Sequence, residues 1–94
     1  MEKPWIETIR VRSSAAALEK AITILNEEIT ILNRSKHVQG AYCMQHQVYN
    51  GDMIISIAWE SHISPQKTRE GLMLAEQMMQ LGSVDHAVWT QIAT

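Results

Sequence analysis

Four β-rich segments and two amphipathic helical segments alternate along these 94 residues, in the order β-α-β-β-α-β. The first strand is predicted over residues 4–13, where Ile9 and Val11 fall on one side and the neighbouring arginines on the other. Such alternation is typical of a strand with one buried face. A chain of this length has room for one hydrophobic core, so we expect a single domain over residues 1–94.

The first helix is predicted to follow Ser13 and Ser14, because serine is a good N-cap residue. Its apolar residues recur every three or four positions and define one face. The members of this face are Leu18, Ala21, Ile22, Leu25, Ile29 and Leu32. Ile24 and Ile31 form a second apolar line beside it, which indicates that the helix touches more than one neighbour.

A β-hairpin is predicted around Asn50-Gly51, since both residues tolerate a positive φ. It joins a second strand, Ala41–Tyr49, to a third, Asp52–Glu60. The third strand is apolar on both faces, which is typical of a central strand covered on both sides. Two helices can cover only one face, so the other face needs a different partner.

The second helix is predicted to begin at Ser64-Pro65, with serine as N-cap and proline at the first helical position, and to end at Gly82-Ser83. Its expected inward residues are Thr68, Leu72, Ala75 and Met79, with Met78 beside them. A fourth strand is predicted over residues 86–92.

This order of elements, joined by right-handed crossovers, predicts an α+β ferredoxin-like sandwich, in which both helices lie on one face of an antiparallel sheet. The residues expected to face the helices are Trp5, Glu7, Ile9, Val11, Met53, Ile55, Ile57 and Trp59. Those expected on the other face are Thr8, Arg10, Ile54, Ser56, Ala58 and Glu60, joined by Gln45, Gln47, Trp89 and Gln91. This second face is too apolar for open water and predicts a homodimer through sheet-to-sheet packing.

Composition excludes several classes of function. The net charge is −2 and the eight lysines and arginines are scattered, so no basic stripe for nucleic acid is expected. The one cysteine, Cys43, fits a reducing compartment. No signal peptide is expected at the N-terminus, and the apolar runs fall short of the ~20 residues of a membrane helix. We therefore expect a cytoplasmic protein that binds neither nucleic acid nor membrane.

The order of elements, the chain length and Trp59-Glu60-Ser61 at the end of the third strand resemble the antibiotic-biosynthesis-monooxygenase-like family. The resemblance implies a dimeric α/β barrel with a ligand pocket between helices and sheet. It also implies a cofactor-independent monooxygenase acting on a small aromatic substrate. The alternative is a non-catalytic dimer of the same fold that binds a small molecule or a protein. A haem-degrading variant is disfavoured, because the first strand has no asparagine and residues 64–82 have no histidine.

Two residues are candidates for the base that such a reaction needs. Glu7 shares its strand face with apolar residues, and a carboxylate in an apolar layer can act as a general base. Its alternative position is the solvated rim of the sheet. His46 shares its face with Tyr42, Met44 and Val48 and could move a proton near neutral pH. It could equally be a core or edge histidine, or face the dimer interface if a bulge shifts the strand.

Pocket-forming residues are expected on the second and third strands and the second helix. Tyr42 and Trp59 could stack on a flat ligand, and methionines such as Met78 could adapt to its shape. The alternative is that all three fill the core. No metal site or cofactor is expected, because histidines 37, 46, 62 and 86 show no ligand spacing and no glycine-rich loop precedes a helix.

Overall fold

The computed structural model describes residues 3–93; Met1, Glu2 and Thr94 of the predicted domain lie outside the described residues. The elements are β1 (Trp5–Arg12), α1 (Ala15–Arg34), β2 (Val38–Gln45), β3 (Asp52–Trp59), α2 (Arg69–Met78) and β4 (Ser83–Thr90). The strands form an antiparallel sheet in the order β2-β3-β1-β4. This topology, with helices packed over the buried face, confirms the ferredoxin-like sandwich.

The two central strands carry the core. They pair from Trp5 with Trp59 to Arg12 with Asp52, and all eight residues predicted to face the helices are buried. The Trp5 and Trp59 rings stack with their centroids 6.1 Å apart. The predicted alternation on β1 and β3 is therefore confirmed.

Helix α1 begins where it was predicted. The Ser14 hydroxyl accepts a hydrogen bond from the Ala17 backbone N–H at 3.1 Å, as an N-cap does. The buried residues are Leu18, Ala21, Leu25 and Leu32, with Ile29 half-buried. Ile22 is more than half exposed because it lies on the flank of the buried stripe rather than at its centre.

Strand β2 differs from its prediction in length and in facing. It ends at Gln45, and a loop over residues 46–51 replaces the tight hairpin. Ala41 and Cys43 pair with helix-facing residues of β3, so the alternate residues Tyr42 and Met44 point to the opposite face. The reason is the close approach of α1: the Asn33 side chain donates to the Ala41 carbonyl at 2.8 Å and accepts from its N–H at 2.9 Å.

Gln45 was expected on the outer face, and that expectation is wrong. It pairs with the helix-facing residue Met53, at the helix side of the strand's end. Trp89 does lie on the outer face, since it pairs there with Ile6. Gln47 and Gln91 lie beyond the ends of β2 and β4.

Helix α2 begins four residues later than Ser64-Pro65 predicted. Thr68 is the N-cap, and its hydroxyl accepts from the Gly71 N–H at 3.0 Å. The buried face is centred on Gly71, Leu74, Ala75 and Met78, whereas Leu72 and Met79 are exposed. The start of this helix depends on a contact between Thr68 and β1 that local sequence does not show.

Within the described residues, neither helix has the length and continuous apolarity that crossing a membrane would need.

Candidate functional site

A buried carboxylate lies at the centre of the molecule. Glu7 is fully buried, and each of its two carboxylate oxygens has two hydrogen-bond partners. Oε1 accepts from Trp59 Nε1 at 3.0 Å and from the Thr68 hydroxyl at 2.6 Å. Oε2 accepts from the Thr68 backbone N–H at 3.0 Å and from His86 Nε2 at 2.5 Å. We call Glu7, Trp59, Thr68 and His86 the carboxylate clamp.

The clamp joins four elements through one side chain. Glu7 belongs to β1, Trp59 ends β3, Thr68 caps α2 and His86 belongs to β4. His86 is the diagonal neighbour of Glu7, because Glu7 pairs with Val88 two residues further along β4. His86 Nε2 and Glu7 Oε2 are within hydrogen-bond distance, and Nε2 is the donor when the carboxylate is ionised, since an ionised carboxylate only accepts.

The closed geometry decides what Glu7 can do. Four donors fill the acceptor positions of its carboxylate, and the His86 side chain is only 8% exposed. Among residues 3–93, no buried side-chain nitrogen or oxygen lacks a hydrogen-bond partner. The arrangement therefore fastens the start of α2 to the sheet. The catalytic role of Glu7 stays a prediction, and it requires the clamp to open.

The other predicted site residues are dispersed. His46 is exposed on the 46–51 loop, beyond the end of β2, and its Nδ1 accepts from the N–H groups of Val48 and Tyr49 at 3.0 Å. Its catalytic role stays a prediction. Tyr42 lies on the outer face of the sheet and is half exposed. Trp59 and Met78 are buried in the core cluster. Of the five, Glu7 and Trp59 share a hydrogen bond.

A cleft of about 490 Å³ opens between α1 and the adjoining ends of β2 and β3. Its lining residues are Ala15, Leu18, Glu19, Ile22, Leu25, Asn26, Cys43, Gln45, Asn50 and Met53. We call this space the α1 cleft. The sulfur atoms of Cys43 and Met53 are 3.6 Å apart in its wall, and burial raises the pKa of the Cys43 thiol. None of the predicted site residues lines the α1 cleft.

Neither the contact of His86 with Glu7 nor the α1 cleft was predicted from the sequence. The available signal for His86 was its position on β4, two residues from the residue that pairs with Glu7. Finding it required the register of two strands that are far apart in sequence. The cleft depended on the facing of β2, which Cys43 and Tyr42 left ambiguous because both are compatible with burial.

Comparison with known proteins gives a match in fold. No protein-family model and no curated protein matches the sequence. A Bacteroides thetaiotaomicron protein described as a "possible oxidoreductase" superposes with a TM-score of 0.73 at 13% identity, covering 97% of this chain and 100% of its own. A "putative antibiotic biosynthesis monooxygenase" from the same organism has a TM-score of 0.67 at 16% identity, covering 97% and 91%. Another of that name, from Nitrosomonas europaea, has a TM-score of 0.72 at 7% identity, covering 98% and 93%.

Sheet order, helix placement and these superpositions define a ferredoxin-like α+β protein. More narrowly, the chain has the fold of the antibiotic-biosynthesis-monooxygenase-like proteins, which confirms the resemblance found from its order of elements and Trp59-Glu60-Ser61. At these identities the likeness establishes the fold, so any activity has to be argued from the residues of this chain.

Proposed function

We propose that this protein binds a small, flat, largely apolar molecule in the α1 cleft. The observation that carries the proposal is the cleft itself, whose volume of about 490 Å³ lies within the range of small-molecule sites. Leu18, Leu25 and Met53 give it apolar walls, and these three residues are themselves buried in the core. The wall is thus held by the packing of the whole domain.

The lining favours an aromatic ligand with one polar substituent. Cys43 and Met53 present polarisable sulfur atoms, which make favourable contacts with aromatic rings. Asn26 and Asn50 at the same cleft carry amide groups that can hydrogen-bond a hydroxyl or carbonyl. The free thiol of Cys43 suits a reducing environment such as the cytoplasm.

Cys43 provides a built-in test of this proposal, because it is the only cysteine and it lines the cleft. Because the pKa of the Cys43 thiol is raised, a smaller fraction of it is thiolate, and iodoacetamide should modify Cys43 more slowly than free cysteine. The modification rate of Cys43 should also begin to rise at a higher pH than that of free cysteine. Saturating 1-naphthol, a flat probe with one hydroxyl, should slow the modification further. Mass spectrometry of the intact chain measures both rates.

A matched pair of variants separates cleft binding from general adsorption. Ile22 and Ile24 are exposed to similar extents on α1, and only Ile22 lines the α1 cleft. Ile22→Glu should weaken 1-naphthol binding by about tenfold, since a charge replaces roughly 1.4 kcal/mol of apolar contact. Ile24→Glu should bind as the wild type does. Equal losses in both variants would contradict a ligand site in this cleft.

A second candidate function is cofactor-independent oxygenation of the bound aromatic molecule, as the names of the superposed proteins suggest. The substrate itself would supply the electrons: 1-naphthol and one O₂ give 1,4-naphthoquinone and one water. Of the carboxylates, Glu19 lines the cleft, whereas the predicted bases Glu7 and His46 do not. Oxygen uptake with quinone formation would favour this candidate, and binding without uptake would favour the non-catalytic alternative.

We also propose that the protein is a homodimer that packs sheet against sheet. The outer face of the sheet exposes Ile6, Tyr42, Met44 and Trp89, which is an apolar surface across three strands. Covering such a surface with a second sheet removes it from water, as in β-sandwich packing.

Two exposed methionines test this assembly. Met44→Glu should convert the dimer to a monomer in size-exclusion chromatography with light scattering, because a charge would be buried at the interface. Met73→Glu is the control: Met73 is similarly exposed but lies on α2, away from the outer face. A monomeric wild type, or dissociation by both substitutions, would contradict the proposal.

A further inference from the structure

Three metal-ligating side chains converge at the end of the sheet where β2 begins and β3 ends. His37 precedes β2, Glu60 follows β3, and His62 lies in the turn after it. The distance from His37 Nδ1 to Glu60 Oε2 is 3.0 Å, and that from His62 Nδ1 to the same oxygen is 3.4 Å. Each residue offers one ligand atom, and these atoms lie within 4.8 Å of one another.

The backbone holds the three residues in this arrangement. The Glu60 N–H donates to the His37 carbonyl at 2.9 Å, which extends the pairing of β2 with β3. The Ile63 N–H donates to the Glu60 carbonyl at 3.0 Å and closes a turn that returns His62 to Glu60. Trp5 Nε1 fixes this turn to the core by donating to the Ile63 carbonyl at 2.8 Å.

The two separations from Glu60 Oε2 fit ligands of one metal ion. Zn²⁺ binds nitrogen and oxygen ligands at about 2.0–2.2 Å, which places neighbouring ligand atoms roughly 3.0–3.4 Å apart in octahedral or tetrahedral geometry. Two imidazoles and one carboxylate form a donor set that binds first-row transition metals and leaves positions open for water or another ligand. The side chains are 36%, 39% and 57% exposed, so an ion can reach them from solvent.

We propose that His37, Glu60 and His62 form a binding site for a divalent transition-metal ion. The histidine Nδ1 atoms and Glu60 Oε2 are the ligands. The site is separate from the α1 cleft, with which it shares no residue, so it does not depend on the proposed function.

The proposal is tested with tag-free protein stripped of metal by a chelator and titrated with ZnCl₂ in a calorimeter. The wild type should bind one Zn²⁺ per chain with a micromolar or smaller Kd. Groups that merely orient a metal ligand contribute about 10–100-fold to affinity, so removing a ligand by His62→Ala should weaken binding by at least about tenfold. His46→Ala removes an exposed histidine outside the cluster and should leave the Kd unchanged.

A second readout guards against a loss of binding through misfolding. Glu60→Gln keeps the size of the side chain and removes its charge, so it should fold normally by circular dichroism while binding Zn²⁺ more weakly. Co²⁺ bound to the wild type should show visible absorption that His62→Ala alters and His46→Ala does not. Absent Zn²⁺ binding in the wild type, or equal binding in His62→Ala, would overturn the proposal.

Discussion

Replacing Glu7 with alanine is expected to lower the free energy of unfolding by about 3–5 kcal/mol. The substitution leaves Trp59 Nε1, His86 Nε2 and both donors of Thr68 without an acceptor in the interior. Each unsatisfied buried donor costs about 1–3 kcal/mol, and relaxation with entering water recovers part of the sum. Urea denaturation followed by tryptophan fluorescence measures the change.

Two further variants make the Glu7 experiment decisive. A domain of this size is stable by only about 5–15 kcal/mol, so Glu7→Ala could unfold much of the protein. Glu7→Gln keeps one acceptor oxygen, but its amide NH₂ group is a donor that faces donors already present. We therefore expect the free energy of unfolding to fall by about 1–3 kcal/mol. Glu27→Ala removes an exposed glutamate from α1 and should change stability by no more than about 0.5 kcal/mol. A Glu7→Ala loss as small as that of Glu27→Ala would contradict the carboxylate clamp.

Gly71→Ala is expected to destabilise the protein by about 1–3 kcal/mol. A Cβ atom at this position would overlap the Glu7 carboxylate, so either the clamp or helix α2 must move. Alanine has the higher helix propensity, by about 1 kcal/mol, and that gain would dominate if the helix were not so close to β1. The sign of the change in unfolding free energy therefore reports the contact directly.

The control for Gly71 is another glycine with space around it. Gly40 on β2 has nothing within 4 Å of an added Cβ, so Gly40→Ala should be neutral or stabilising, by up to about 1 kcal/mol. A double variant adds a test of the cause. In the Glu7→Ala background the overlapping carboxylate is absent, so adding Gly71→Ala should cost less than in the wild type. Stabilisation by Gly71→Ala alone would show that α2 lies further from β1 than described.

The fold could be predicted because the order of elements was clear and the alternation of apolar and charged residues on β1 was unambiguous. On β1, Ile9 and Val11 alternate with Arg10 and Arg12, and the exposed arginines mark the opposite face. On β3, Met53, Ile55 and Ile57 inherit their facing from their pairing with β1. With the helix-facing residues of β1 and β3 assigned, and one helix following each of these strands along the chain, few topologies remain.

The candidate site could be predicted only in part, for reasons that lie in tertiary contacts. Strand parity placed Glu7 on the helix-facing side of β1 without deciding its burial, and its partners His86 and Thr68 are 79 and 61 residues away along the chain. Tyr42 and Cys43 are both compatible with burial, so composition could not orient β2. The pairing of β2 with β3, together with the contact between Asn33 and Ala41, fixes the facing of β2 and with it the wall of the α1 cleft.

The sequence by itself determined the order of elements and the helix-facing residues of β1 and β3, because hydrophobic periodicity is a local property. It left Glu7 open between the buried face and the solvated rim of the sheet. Only the tertiary structure decided where α2 begins, which residues bind the Glu7 carboxylate and where the cleft opens. It also brought His37 to Glu60 across paired strands, although no spacing in the sequence marks them as neighbours. Hydrogen bonds between distant residues select among local alternatives that are nearly equal in free energy, and local sequence does not encode that selection.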